Sequence, residues 1–117
     1  MARYEHLKVF QKSFELLEKI YLYANCFPKA QKFVLGQRIE NAGVDLLMLI
    51  IEANNTPVKE RHPLFKEIFL ALEKMRILFR LAHKLSFLST KGYEILSGSL
   101  VELSKMLNGW EKTSVNQ

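Results

Sequence analysis

Residues 46–75 read LLMLIIEANNTPVKERHPLFKEIFLALEKM, and this stretch contains the end of one helix, a break and the start of the next. The break is the cluster Asn54–Pro57, since asparagine and proline favour turns. Pro63 then suits the first position of a helix, where its missing N–H leaves no hydrogen bond unmade. Apolar residues recur on both sides at three- and four-residue steps. The stretch therefore predicts two long helices with a short connection.

The same alternation of helix and break extends in both directions along the chain of 117 residues. Pro28 ends a first periodic segment, because proline cannot continue a helical hydrogen-bond ladder. Ser89 or Thr90 is suited to cap a last one. We expect helices at about 4–25, 32–53, 63–88 and 90–110 in one domain of residues 1–112, with a frayed tail at 113–117. Short connections make each helix fold back on its predecessor, which predicts an all-α, antiparallel up-down-up-down four-helix bundle.

The first two helices carry less distinctive patterns. In the first helix, six apolar residues recur at the spacing of one helical face: Leu7, Phe10, Phe14, Leu17, Tyr21 and Ala24. In the second, Gly36 and Gly43 lie seven residues apart on one side, where a neighbouring backbone could approach closely. The alternative is that each glycine only costs the helix up to about 1 kcal/mol.

The third helix has three faces on a helical wheel. Its core face consists of six apolar residues: Phe65, Ile68, Leu72, Met75, Phe79 and Ala82. Beside it, at four-residue spacing, lie Arg76, Arg80 and Lys84, which we call the basic ridge. Roughly opposite the core lie Leu70, Ile77 and Leu81, which we call the apolar strip. Leu88 joins the apolar strip if the helix extends that far.

The basic ridge lies within the most positively charged part of the sequence. The formal net charge is +5, and residues 59–91 contain eight Lys or Arg against three Glu. No acidic residue occurs from Lys74 to Lys91. Cations one helical turn apart, about 6 Å, can meet successive phosphates of a nucleic acid. Lys59 and Arg61, and the Lys8, Lys12 and Lys19 side of the first helix, could enlarge this surface. The alternative is a solvated face whose charges only keep the protein soluble.

The apolar strip also allows two interpretations. A helix in a simple monomeric bundle needs a single apolar stripe, so a second one must be covered. The cover is either an adjacent helix of the same bundle or another subunit. The second interpretation predicts self-association through Leu70, Ile77, Leu81 and Leu88.

The residues offer no catalytic centre and no metal or cofactor site. His6, His62 and His83 lack metal-ligand spacing, and no phosphate-binding loop or nucleophile motif occurs. Trp110 is expected to be a packing anchor that closes one end of the bundle. We therefore expect a protein that is not an enzyme and that holds no metal or cofactor.

Cysteine content and hydropathy bear on localisation. Cys26 is the single cysteine, so no intrachain disulfide can form, and a reducing cytoplasm is the expected location. The longest strongly apolar run is Leu46–Ile51. It is far shorter than the roughly 20 residues that a helix needs to span a bilayer. We expect a soluble, cytoplasmic protein with no membrane partner.

Four short motifs resemble a group of bacterial four-helix-bundle proteins. Residues 27–40, FPKAQKFVLGQRIE, resemble the start of the second helix in proteins encoded in ribosomal-RNA intervening sequences and in Avd (accessory variability determinant) proteins of diversity-generating retroelements. Residues 4–11, YEHLKVFQ, are similar to both branches. The basic stretch 78–82, LFRLA, and the ending 106–110, MLNGW, favour the Avd branch.

The resemblance implies a function that the spacing alone does not give. Avd proteins are implied to be homopentameric and basic, to bind nucleic acid, and to associate with the reverse transcriptase that copies template RNA into cDNA. Arg76, Arg80 and Lys84 look like the basic third-helix positions of that family. The intervening-sequence branch implies the alternative, a protein–protein adaptor bundle with no nucleic-acid role.

Overall fold

Four long helices make up most of the protein in this computed structural model, which describes residues 7–115, with side chains through Thr113. These residues form α1 (Lys8–Ala24), α2 (Gln37–Asn54), α3 (His62–Lys84) and α4 (Thr90–Val115), and no strand. A helical turn (Lys29–Gln31) and a π-helical turn (Lys32–Gly36) lead into α2, and a 3-10 turn (Val58–Glu60) precedes α3. The predicted all-α four-helix bundle is confirmed.

The helices pack in a ring around one apolar core. α1 and α3 each pack against both α2 and α4, and the molecule measures 46 × 22 × 20 Å. Phe65 at the start of α3 contacts Trp110 near the end of α4, and His83 at the end of α3 stacks on Tyr93 near the start of α4. The start of α3 therefore lies beside the end of α4. The up-down-up-down order of the whole bundle stays a prediction.

The helix bounds differ from the expected ones at several ends. The expected start at residue 4 lies outside the described residues. The expected α-helix over 32–36 is a π-helical turn. At the other end, α4 runs to Val115, so residues 113–115 of the expected tail are helical, and 116–117 lie outside the described residues. Ser89 caps α4, since its Oγ accepts a hydrogen bond from the Gly92 N–H at 3.0 Å.

The placement of Leu88 in the apolar strip is wrong. α3 ends at Lys84. Soon after it, Ser86 has a φ of 66°. This is the left-handed region in which many helices terminate. The N–H groups of Phe87 and Leu88 then bond back to the carbonyl of Ala82 at 2.9 and 3.1 Å. This reversal turns Leu88 into the core, where it is 3% exposed.

The apolar face that the sequence spacing gives for α1 is not the face that is buried. Phe14 and Tyr21 are both 47% exposed. The buried face lies about a quarter-turn away and consists of Val9, Ser13, Leu16, Ile20 and Ala24. Ser13 is accommodated there because its hydroxyl donates to the carbonyl of Phe10 at 2.9 Å. Two apolar faces at helical spacing occur on this helix, and packing selected the one that contains a serine.

Gly43 of α2 lies against side chains of α1, not against its backbone. A Cβ built on Gly43 would lie 2.7 Å from Cδ1 of Leu17 and 3.1 Å from Cδ1 of Ile20. A Cβ built on Gly98 in α4 would have no neighbouring heavy atom within 4 Å. The two glycines therefore form a matched pair, one required by packing and one not.

We expect opposite effects from substitutions at these two glycines. Gly43→Val should lower the free energy of unfolding by about 1–3 kcal/mol, because its methyl groups overpack the contact between α1 and α2. Gly98→Ala should raise it by about 0.5–1 kcal/mol, because alanine has the higher helix propensity. Urea unfolding at a fixed protein concentration measures both. A Gly43→Val variant as stable as wild type would contradict the close packing.

Candidate nucleic-acid interface

The basic ridge lies on the exposed surface of α3, beside its junction with α4. Arg76, Arg80 and Lys84 are all exposed, whereas all six predicted core residues of the same helix are buried. The ridge follows from the 3.6-residue period, which turns the core face inward and holds positions 76, 80 and 84 on one side. The sequence prediction of three aligned cations on an exposed face is therefore matched by the geometry.

The three ridge cations differ in their partners. The Arg76 guanidinium donates to the carboxylate of Glu73 at 2.9 Å, and both side chains are largely exposed. Arg80 and Lys84 have no ion-pair partner within residues 7–113. An exposed pair of this kind contributes less than about 1 kcal/mol, so the Arg76 pair can exchange Glu73 for a phosphate at little cost.

A groove between α3 and α4 adds a fourth cation to the ridge. Its α3 wall carries Glu73 and Arg76, and its α4 wall carries Val101, Ser104 and Lys105. Lys105 is exposed and unpaired within the described part of the chain. The sequence pattern did not indicate Lys105 as part of the basic surface. Lys105 lies on a different helix from Arg76, and periodicity relates only residues of the same helix. Only the packing of α4 on α3 brings the two together.

Arg61 does not belong to the available basic surface. Its Nε donates to the carbonyl of Thr56 at 2.9 Å and its NH2 group donates to the carbonyl of Asn54 at 3.3 Å. The guanidinium also lies 5.5 Å from the ring centre of Trp110, within the range of a cation–π contact. Burial lowers the pKa of this half-buried group from its usual value. Arg61 therefore holds the connection between α2 and α3 against the end of α4. Its guanidinium is engaged by backbone carbonyls, and its contact with nucleic acid stays a prediction.

The remaining candidate cations are divided between free and paired positions. Lys59 is exposed in the turn before α3, away from the ridge. Lys12 pairs with Glu102 of α4, and the hydrogen bond from Lys12 lowers the pKa of that carboxyl. Lys19 donates to Ser99 Oγ at 3.3 Å and lies 3.6 Å from a carboxylate oxygen of Glu15. The lysines at 12 and 19 thus join α1 to α4, and only Lys8 and Lys59 remain as possible extensions of the surface.

The apolar strip is exposed rather than covered by a neighbouring helix. Leu70, Ile77 and Leu81 are 56%, 63% and 43% exposed. They border a groove between α2 and α3, to which α2 and the turn before it contribute the exposed side chains of Met48 and Val34. The intrachain alternative for this strip therefore does not apply to its three residues on α3.

The described residues offer no alternative centre for chemistry. Within residues 7–115, no group of three His, Cys, Asp or Glu side chains converges as a metal site would require. No helix in the described range is both long enough and apolar enough to cross a lipid bilayer.

Comparison with protein families places the whole bundle in one family. A family model described as bAvd-like matches residues 7–114, which include all four helices. The chain belongs to the bAvd-like family. No curated protein matches the sequence. The resemblance to the Avd branch is confirmed, and at the level of the family this bAvd-like chain is an accessory protein of the Avd type.

The family match covers structural residues as well as the candidate interface. The Trp110 of this bAvd-like chain packs edge-on against Phe65, with ring centres 5.1 Å apart. Such a contact makes it a packing anchor, as predicted. The motif at 27–40 supplies Phe27, Leu35 and Ile39 to the core and contains the π-helical turn. The motifs that resemble the family are thus largely structural. They carry little information about what the basic ridge binds.

Proposed function

We propose that this protein is the non-catalytic accessory subunit of a diversity-generating retroelement. In this proposal it binds template RNA or cDNA through the basic ridge, associates with a reverse transcriptase, and works as a homo-oligomer in the cytoplasm. The observation that carries the proposal is the exposed row of Arg76, Arg80 and Lys84, with Lys105 across the groove. Membership of the bAvd-like family supports the accessory role, the oligomer and the reverse-transcriptase partner.

The chemistry of the ridge suits phosphates rather than bases. The planar fork of an arginine stays charged and can grip one phosphate with two hydrogen bonds. Phosphate contacts carry no base information, so binding through the ridge should be largely independent of sequence. The turn-by-turn spacing allows each cation to meet a different phosphate.

A salt titration tests the ridge. Fluorescent single-stranded RNA should bind wild type with an affinity that falls steeply with salt, because each phosphate contact releases counterions. The triple variant Arg76→Ala/Arg80→Ala/Lys84→Ala should bind more weakly, with a log–log salt slope shallower by about 2, or roughly 0.7 for each lost contact. Fluorescence anisotropy at several salt concentrations measures both quantities.

Two single-cation variants are the controls. Lys12→Ala removes a cation that is paired with Glu102 of α4, and Arg61→Met removes a cation that is engaged by backbone carbonyls. Each should change the slope by much less than the roughly 0.7 expected for one lost phosphate contact. If either variant lowers the slope by about 0.7, net charge rather than the ridge governs binding. If wild type binds no RNA at low salt, the nucleic-acid role is rejected and the adaptor function replaces it.

A further inference from the structure

One end of the bundle is basic on two sides. The sequence from Lys19 to Ile39 contains no Asp or Glu, and neither does the sequence from Lys74 to Lys91. The structure brings the two segments together. Val34 and Arg38 line one groove with Leu81 and Leu85. The rings of Phe27 and Phe87, in the two connections at this end, are 6.1 Å apart.

The cations of the first segment lie around the π-helical turn. Lys29 and Arg38 are exposed and Lys32 is half-buried. None of the three has an ion-pair partner in the part of the chain that the structure describes. Lys84, at the end of the basic ridge, lies at the same end of the bundle. This end of the bundle therefore carries unpaired cations besides those of the ridge.

Phe33 lies in the sequence between Lys32 and Arg38, within this basic segment. It is 74% exposed, more than any other large hydrophobic side chain in the described structure. It lies on the π-helical turn, and such turns occur frequently at functional sites. Burying a phenylalanine stabilises a protein by about 1.5–3 kcal/mol relative to leaving it in water, so its exposure here forgoes that stabilisation.

An exposed aromatic ring among unpaired cations has the chemistry that binds single-stranded nucleic acid. Bases stack on aromatic faces, and the cations hold the phosphates on either side. A duplex does not offer its bases in this way, because they already stack on one another. We propose that Phe33 is a stacking platform for a base of a single strand, and that Lys29 and Lys32 hold the adjacent phosphates. This inference rests on the proposed nucleic-acid function and adds a second site and a preference for single strands.

The test compares three variants on two probes. The probes are a fluorescent oligouridine of about 12 nucleotides and an RNA duplex of the same length, a size within the usual range for such sites. Phe33→Ala should weaken binding of the oligouridine about tenfold, which corresponds to the stabilisation by one stacked base. The salt slope should stay unchanged, because no phosphate contact is lost. The loss should be confined to the single-stranded probe.

Two further variants separate stacking from other causes. Phe33→Leu keeps an apolar side chain but removes the aromatic face, so it should lose as much affinity as Phe33→Ala. Phe14→Ala removes an exposed phenylalanine on α1, beside Glu15 and outside the basic end, so it should bind as wild type does. Sedimentation of each variant measures its mass in solution alongside.

Each result decides between the two proposals. If wild type binds oligouridine with a steep salt slope but Phe33→Ala binds equally well, the stacking site is rejected and the ridge stands. If Phe33→Leu binds as wild type does, the contact is not stacking and the inference is also rejected. If Phe33→Ala instead lowers the mass in solution, Phe33 belongs to a contact between copies and the stacking site is again rejected. If wild type binds neither probe, both proposals fail.

Discussion

A Phe65→Ala variant is expected to lose about 3–5 kcal/mol of unfolding free energy, out of a total of roughly 5–15 kcal/mol for a domain. Phe65 is 1% exposed, and its ring meets that of Trp110 edge-on at 5.1 Å. Trp110 in turn lies under the Arg61 guanidinium that fixes the connection between α2 and α3. Removing the phenyl ring leaves a cavity and releases the contact that joins α3 to the end of α4.

Urea unfolding followed by circular dichroism measures this loss, at one protein concentration for all variants. Trp110 is the single tryptophan, so its emission should also shift to the red in the folded variant as water reaches the ring. Phe33→Ala is the matched control, because the Phe33 side chain is 74% exposed. A substitution at such a surface position should change stability by no more than about 0.5 kcal/mol. Equal unfolding midpoints for the two variants would contradict the role of Phe65 at this end of the core.

The double variant Ile77→Glu/Leu81→Glu is expected to reduce the mass in solution from that of an oligomer to that of one chain. In the proposed oligomer, the apolar strip is buried against another subunit. Two carboxylates buried there without partners would cost several kcal/mol. Both positions are exposed within one chain, so the stability of the monomer itself should change little.

Analytical ultracentrifugation at several protein concentrations measures the association. Leu22→Glu is a control of similar chemistry, since Leu22 is 66% exposed on α1 and lies outside the apolar strip. A double variant with the mass of wild type would remove the strip from the subunit contact. A wild-type protein that sediments as a single chain at all concentrations would reject the homo-oligomer.

Much of the architecture could be predicted because it depends on local chemistry. The Asn54–Pro57 cluster and Pro28 interrupt helices through their own backbone geometry, whatever the rest of the chain does. On α3, the three faces differ in chemistry, so periodicity alone distinguished the buried face from the ridge and the apolar strip. Four short motifs indicated the family, which the match of the family model over residues 7–114 then showed.

Local sequence patterns did not decide which face of α1 is buried or where α3 ends. On α1, an aromatic face and an aliphatic face both have helical spacing, and the other helices cover the aliphatic one. No glycine follows α3 to indicate in the sequence where the helix ends. Ser86 adopts the left-handed backbone conformation there instead. Nothing in the sequence indicated this chain reversal, which places Leu88 in the core instead of on the surface.

The sequence by itself determined the helices, their breaks, the family and the positions of Arg76, Arg80 and Lys84 on one face of a helix. The tertiary structure decided which cations are available. In the folded chain, Arg61 donates hydrogen bonds to backbone carbonyls, and Lys12 and Lys19 contact side chains of α4. Lys105 lies across a groove from Arg76. The physical reason is range: helix periodicity depends on neighbours three and four residues away, whereas charge pairing and burial depend on residues that only packing brings together.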